Sequence, residues 1–208
     1  MRTPLLALAL MVAACGPNAS EVARPAATTG SASWSLVPAA SRVSFVSVKA
    51  GQVAEVHHFT ELSGTVSADG TASLDIPLDA VETGIPIRNE RMREFLFQTG
   101  LHPKATLTTR IDLAPFAGLA PGEQARVPLS GNLSLHGITA PIETEVTVTR
   151  AGRTRVVVAS LDPVIVNAES FGLGSGIDEL RKLAGLDSIT ADVPVSFQLS
   201  FEAGPPAS

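Results

Sequence analysis

Between Ala191 and Phe201 the chain alternates strictly. Ala191, Val193, Val195, Phe197, Leu199 and Phe201 are apolar, and Asp192, Pro194, Ser196, Gln198 and Ser200 separate them. Successive side chains of a strand point to opposite faces, so this run predicts one long β-strand with one wet face. The same period of two recurs at Ala72, Leu74, Ile76 and Leu78, at Val127, Leu129, Leu133 and Leu135, and at Ile142, Thr144, Val146 and Val148. Further strands are expected over residues 43–48, 53–59, 62–68, 105–111 and 155–161. Polar turn residues at 68–71 and 150–153 suit hairpins, so most neighbours should be antiparallel. Two helical stretches interrupt the pattern. One covers residues 88–97 and ends in Phe95, Leu96 and Phe97. The other opens at Ser175, read as a helix cap with Asp178 three residues on, runs through Leu183 and closes at Gly185. Eight or more strands with so few helices favour an all-β, closed antiparallel barrel of about eight strands. Periodicity cannot show closure, and a sandwich stays open as the second architecture.

A barrel of that size either fills its interior with side chains or holds one small ligand. The inward candidates are mostly Val, Leu, Ile and Ala, with eight Phe, one Trp and no Tyr in 208 residues. Small aliphatic linings leave volume that attracts an apolar guest, but they also close a core without one. Composition leaves both readings standing. The net charge of -5, with no basic cluster longer than 88–93, argues against a nucleic-acid partner.

Residues 1–14 read as a signal peptide: Arg2, an apolar run from Leu5 to Val12, then small residues before Cys15. That run is too short to span a bilayer, which takes about 20 residues in a helix. Val12, Ala13, Ala14 and Cys15 resemble a bacterial lipobox, in which the cysteine becomes the acylated first residue. Residues 15–32 are then a lipidated N-terminus and Pro-, Ala- and Ser-rich tether, 33–203 the folded domain and 204–208 a tail. The expected location is the periplasmic face of a bacterial membrane, the outer one favoured because Gly16 stands where an aspartate would resemble an inner-membrane retention signal. Cys15 is the single cysteine, so its lipidation leaves no thiol for catalysis, disulfide or zinc.

Little else carries chemistry. His57 and His58 are adjacent in a predicted strand and must point to opposite faces, His102 and His136 stand apart in sequence, and no metal site is expected. Ser175 lacks the spacing of a nucleophile elbow, and no catalytic residue is expected. The run 171–176, FGLGSG, reads as a flexible loop at a barrel mouth, because Asp178 and Glu179 already occupy the first helical turn and would repel a phosphate. Arg88, Arg91 and Arg93 beside Glu90 and Glu94 have two readings: a solvated helix face with local ion pairs, or guanidinium forks that contact a polar head group.

The segment GNLSLHGITAPI at 131–142 resembles the signature of the YceI-like family. Trp34, Leu36, Pro38, Ser41, Val43 and Phe45 follow that family's spacing, as do Phe59, Leu62, Ser63 and Gly64. So do Arg88, Asn89, Met92 and Arg93, then Pro103, Ala105 and Thr106, then Asn167, Phe171 and Gly172. Two departures are Gly84, near where relatives carry asparagine, and Ala168 with Glu169 in place of a more polar pair. The resemblance implies a lipocalin-like barrel that holds a long isoprenoid-type chain, polyprenyl or quinone-like, as its ligand, without a cofactor or catalysis. The lining would then include Phe45, Leu74 and Ile76 and, on the helical segment, Met92, Phe95 and Phe97. Leu133, Leu135, Val146, Val148 and Phe171 join them, with Val195, Phe197 and Leu199 on the last strand. The competing expectation is an envelope-stress or interaction scaffold with a packed, ligand-free barrel. The sequence is compatible with a homodimer.

Overall fold

The alternating run forms the strand that closes the molecule. The computed structural model describes residues 33–204. The signal peptide, Cys15, the tether up to residue 32 and residues 205–208 lie outside them. In chain order the elements are β1 (Trp34–Leu36), β2 (Arg42–Lys49), β3 (Val53–Phe59), β4 (Ser63–Val66), β5 (Thr71–Pro77) and β6 (Val81–Glu82). Next come α1 (Pro86–Arg91), which continues into a π-helical turn at Met92–Leu96, then β7 (Lys104–Arg110), β8 (Gln124–Leu135) and β9 (Ile138–Arg150). Finally there are β10 (Arg155–Ser160), β11 (Val164–Asn167), α2 (Gly174–Leu183) and β12 (Asp192–Ala203).

Strands β1, β4, β5, β7, β8, β9, β10 and β12 pair antiparallel in that order, and β12 returns to β1 through Trp34 opposite Ala203. The ring is a closed eight-stranded antiparallel barrel, which decides against the sandwich. Its first half of β12 pairs instead with β2 on one side and β11 on the other. β2 and β3 thereby extend the wall towards one end, where β3 meets only the two-residue β6. Beyond that short pairing β3 has no further strand partner on this side among the described residues. The turn after β2, both helical segments and the turn between β8 and β9 all gather at this helical end, while Trp34 and Ala203 mark the opposite end.

Inward-facing side chains form two apolar clusters. Phe45, Leu78, Val81, Met92, Phe97, Ala105, Leu133, Leu135, Ala168, Phe171 and Leu173 pack at the helical end. Leu36, Val43, Leu62, Val66, Ala72, Leu74, Leu199 and Phe201 pack at the other. Burying a side chain of this size stabilises by about 1.5 to 3 kcal/mol, so these two layers dominate the stability of the barrel.

Three local expectations need correcting. Ser175 does not cap α2: Leu173 is the N-cap, its carbonyl accepting from the Ile177 N–H, and no side chain caps the helix. Gly172, at φ 70°, ends the preceding turn at Glu169–Phe171 and starts the helix earlier than Ser175 allows. Nor is 171–176 a loose loop. Phe171 and Leu173 are buried, and Gly176 lies so close to the π-helical turn that a Cβ there would stand 2.6 Å from the Phe95 carbonyl oxygen and 2.7 Å from Leu96 Cα. The glycines here serve close packing. The first helix begins at Pro86, two residues before the expected start, because proline suits the first helical position, where its missing N–H would be unpaired anyway.

Candidate functional site: the barrel interior and its polar end

The lining residues expected from the sequence divide among three settings. Phe45, Met92, Phe97, Leu133, Leu135 and Phe171 belong to the cluster at the helical end, and Leu74 and Leu199 to the opposite one. Val146 and Val148 are buried on β9. Ile76 and Val195, with Phe59, pack against both clusters yet are only partly buried, and Phe197 is partly buried against the second. Strand parity points these side chains at the barrel axis, where they join the two clusters without being fully covered. A fully interdigitated core would have covered the residues that join its two halves. Phe95 is half-buried, and its neighbour Leu96 packs against the core instead.

The sequence signature at 131–142 becomes the tip of the long β8–β9 hairpin. His136 and Gly137 both carry positive φ, 52° and 80°, which turns the chain at the helical end in the sense such two-residue hairpins prefer. The His136 ring lies 4.3 Å from that of His102. Burial, then the neighbouring His102, holds the His136 ring below its ordinary value.

Polar character enters along the inward face of β2 and β3. Val43 is opposite Phe59, Phe45 opposite His57, and Ser47 opposite Glu55, so the face passes from apolar to charged towards the helical end. Lys49 closes the series, its Nζ 2.8 Å from Glu55 Oε2. Arg88 reaches across from α1 and donates through NH1 to the same oxygen at 2.7 Å, and through NH2 to the Thr83 carbonyl at 2.7 Å. His57 Nε2 lies 2.9 Å from Ser47 Oγ, and its ring stands 5.2 Å from Phe45. His57 Nδ1 and Arg88 Nε are buried without a partner.

A clasp at the start of α1 aims Arg88. Asn89 Oδ1 accepts from the Thr83 N–H at 3.0 Å and from the Thr83 hydroxyl, while its Nδ2 donates to Glu82 at 3.2 Å. Gly84 sits between them at φ 76°, a conformation that asparagine also tolerates, so this departure from the family pattern keeps the backbone geometry. Arg91 and Arg93 take other partners: Arg91 donates to the Leu183 carbonyl and Arg93 to the Asp79 carbonyl. Of the three arginines, the structure brings Arg88 to the inward polar cluster.

Sequence reading passed over Lys49, Ser47, Glu55 and His57 as a group. VAEVHHF shows no clean alternation, and only the pairing with β2 reveals that Glu55, His57 and Phe59 share the inner face. Val56, on the outer face, is 71% exposed.

The electrostatics give a testable pH dependence. The hydrogen bond from Lys49 is the chief cause holding Glu55 below the usual carboxylate range, so its contribution to stability is present above 4.5 and declines as pH falls below it. Burial, reinforced by the Arg88 charge, holds His57 below its ordinary 6.5. As pH falls through 6.5 the unfolded chain takes up protons that folded His57 and His136 refuse, and stability declines until the depressed folded values are reached. His57→Gln should make the fall in melting temperature between about pH 7.5 and about pH 5.5 shallower than in the wild type. An equal fall in both proteins would mean that His57 is protonated in the fold.

With this geometry in view, the comparisons are informative. A polyisoprenoid binding domain from Saccharophagus degradans, implicated in plant cell wall breakdown, is 44% identical with a TM-score of 0.80, over 82% of this chain and 98% of that one. BcnA of Burkholderia cenocepacia is 21% identical with a TM-score of 0.62, over 79% of this chain and 98% of that one. The Campylobacter jejuni YceI protein shares the fold at 11% identity and a TM-score of 0.51, over 72% of this chain and 84% of that one. No curated protein matches the sequence. Residues 34–201, from the first strand to the last, match the YceI-like domain, and the chain belongs to the YceI-like family.

Proposed function

We propose that this protein binds or carries a long apolar isoprenoid-type lipid in its barrel, tethered through Cys15 at the periplasmic face of the outer membrane. The observation that carries the reading is the set of axis-facing side chains, Phe59, Ile76 and Val195, which touch both apolar clusters and remain only partly buried. An extended polyprenyl or quinone-like chain matches a narrow aliphatic interior, and covering it at about 25 cal/mol per Å² of apolar surface drives binding without polar contacts. The 44% identical relative is named for binding polyisoprenoids, which supports the same ligand class here. Binding rather than catalysis is the role, with no cofactor, and the membrane enters as a partner through the acylated N-terminus.

The test is one fractionation with two readouts. Wild-type and Cys15→Ser proteins are purified from their own envelope, and organic extracts of each are read by mass spectrometry. The wild type should appear in the membrane fraction with acyl mass on its N-terminus, held by about 0.8 kcal/mol per buried CH₂ of its acyl chains, and Cys15→Ser should be soluble. Both should yield a stoichiometric isoprenoid lipid. Wild type in the soluble fraction sinks the anchor, and extracts without lipid favour a packed scaffold.

A further inference from the structure

We infer that Lys49, Glu55, His57 and Arg88 form a receiving site for the anionic, phosphate-type end of the lipid whose chain lies in the barrel. This rests on the lipid reading above and specifies the polar end of its ligand.

Lys49 and Arg88 both bond one carboxylate, that of Glu55, leaving one positive charge of the trio uncompensated by it. The three side chains are 24 to 30% exposed, so this charge is partly withdrawn from water. Among the described residues no other Asp or Glu lies within ion-pair distance of Lys49 or Arg88; Glu82 accepts from the Gly84 N–H and Asn89, and Asp75 from Lys104 and Thr106. His58 lies on the outer face of β3, away from the cluster. A cation set in partly buried surroundings is stabilised by an anion brought to it.

Hydrogen bonding points the same way. Both terminal nitrogens of the Arg88 fork donate, one to Glu55 and one to Thr83, while the Nε–H is buried and unpaired. Guanidinium cannot turn this group into an acceptor, so only an incoming acceptor satisfies it. His57, 3% exposed, also presents an unpaired Nδ1, a donor in the tautomer whose Nε2 accepts from the Ser47 hydroxyl. Lys49 retains donors beyond the one given to Glu55. Phosphate oxygens supply several acceptors and negative charge together. A hydroxyl or a quinone carbonyl supplies an acceptor without the charge.

The charged group continues the inner face on which Phe59, Phe45 and His57 lie, with Phe59 5.3 Å and His57 5.2 Å from Phe45. A molecule with an apolar chain along the axis therefore reaches this group with its end, at the helical mouth.

Three probes separate the outcomes: geranylgeranyl monophosphate, geranylgeraniol and inorganic phosphate, titrated into delipidated full-length protein. The phosphate ester should bind at least roughly tenfold tighter than the alcohol, the scale of a charge-assisted hydrogen bond. In Arg88→Gln that ratio should fall towards one, and Lys49→Gln, at the end of β2 and away from the α1 clasp, should lower it independently of any effect on folding. Inorganic phosphate should fail to displace the ester. Equal affinity for ester and alcohol in the wild type overturns the head-group assignment and leaves lipid binding intact. Displacement of the ester by inorganic phosphate alone overturns the lipid-end assignment. An unchanged ratio in both variants overturns the choice of residues, and binding of neither lipid overturns the lipid reading itself.

Discussion

Val195→Phe is expected to remove most of the extractable lipid while leaving the melting temperature close to that of the wild type. Val195 pairs with Phe45 across β12 and β2, touches both apolar clusters, and is only partly buried, so a larger side chain has the interior to grow into. It would occupy the space assigned to the chain. Leu135→Phe is the contrasting variant, since Leu135 is already buried at 9% exposure within the helical-end cluster. Overpacking there should cost roughly 1 to 3 kcal/mol. Melting temperature and lipid content measured on the same preparations distinguish the sites. A Val195→Phe protein that melts early and never carried lipid would mean a packed barrel, and the carrier reading would fall.

Gly176→Val should produce the largest loss of stability, about 3 kcal/mol or more. Valine would place its Cβ 2.6 Å from the Phe95 carbonyl oxygen and 2.7 Å from Leu96 Cα, where backbone cannot yield without moving the π-helical turn. The modest helix-propensity gain from removing a glycine is smaller than this clash. Because α2 and that turn together cover the helical end, the variant should also lose protection of its Met92–Phe97 amides in hydrogen exchange. Unchanged exchange there, with wild-type stability, would show that the contact gives way freely.

How much of this was legible from residues alone depended on whether a pattern is local. The 191–201 alternation became β12, and 68–71 and 150–153 became turns, because side-chain period and turn chemistry act over a few neighbours. β1, β6 and β11, of three, two and four residues, were missed because so short a strand exists only through its partner. The same holds for the polar cluster. Glu55 and Arg88 are 33 residues apart, and nothing in either neighbourhood announces the pairing. Arg88 was singled out with Arg91 and Arg93 as one basic face, yet the clasp of Asn89 on Thr83 and Glu82 sends it inward while its companions bond distant carbonyls. Ser175 failed as a cap because the φ of Gly172, a backbone property, sets where α2 begins.

The pairing of Trp34 with Ala203 bears on the order of folding. It joins the first and last strands of the barrel, so closure carries one of the largest loop entropies the domain can present, and high contact order slows folding. The hairpins from β4 to β10 can form as they emerge during synthesis, but β1 and β10 remain open edges until β12 arrives between them. Such edges are templates for pairing with other chains. Truncation before residue 192 would therefore leave β1, β10 and β2 without their shared partner, and the last strand serves as the protein's safeguard against self-association as well as its final stave.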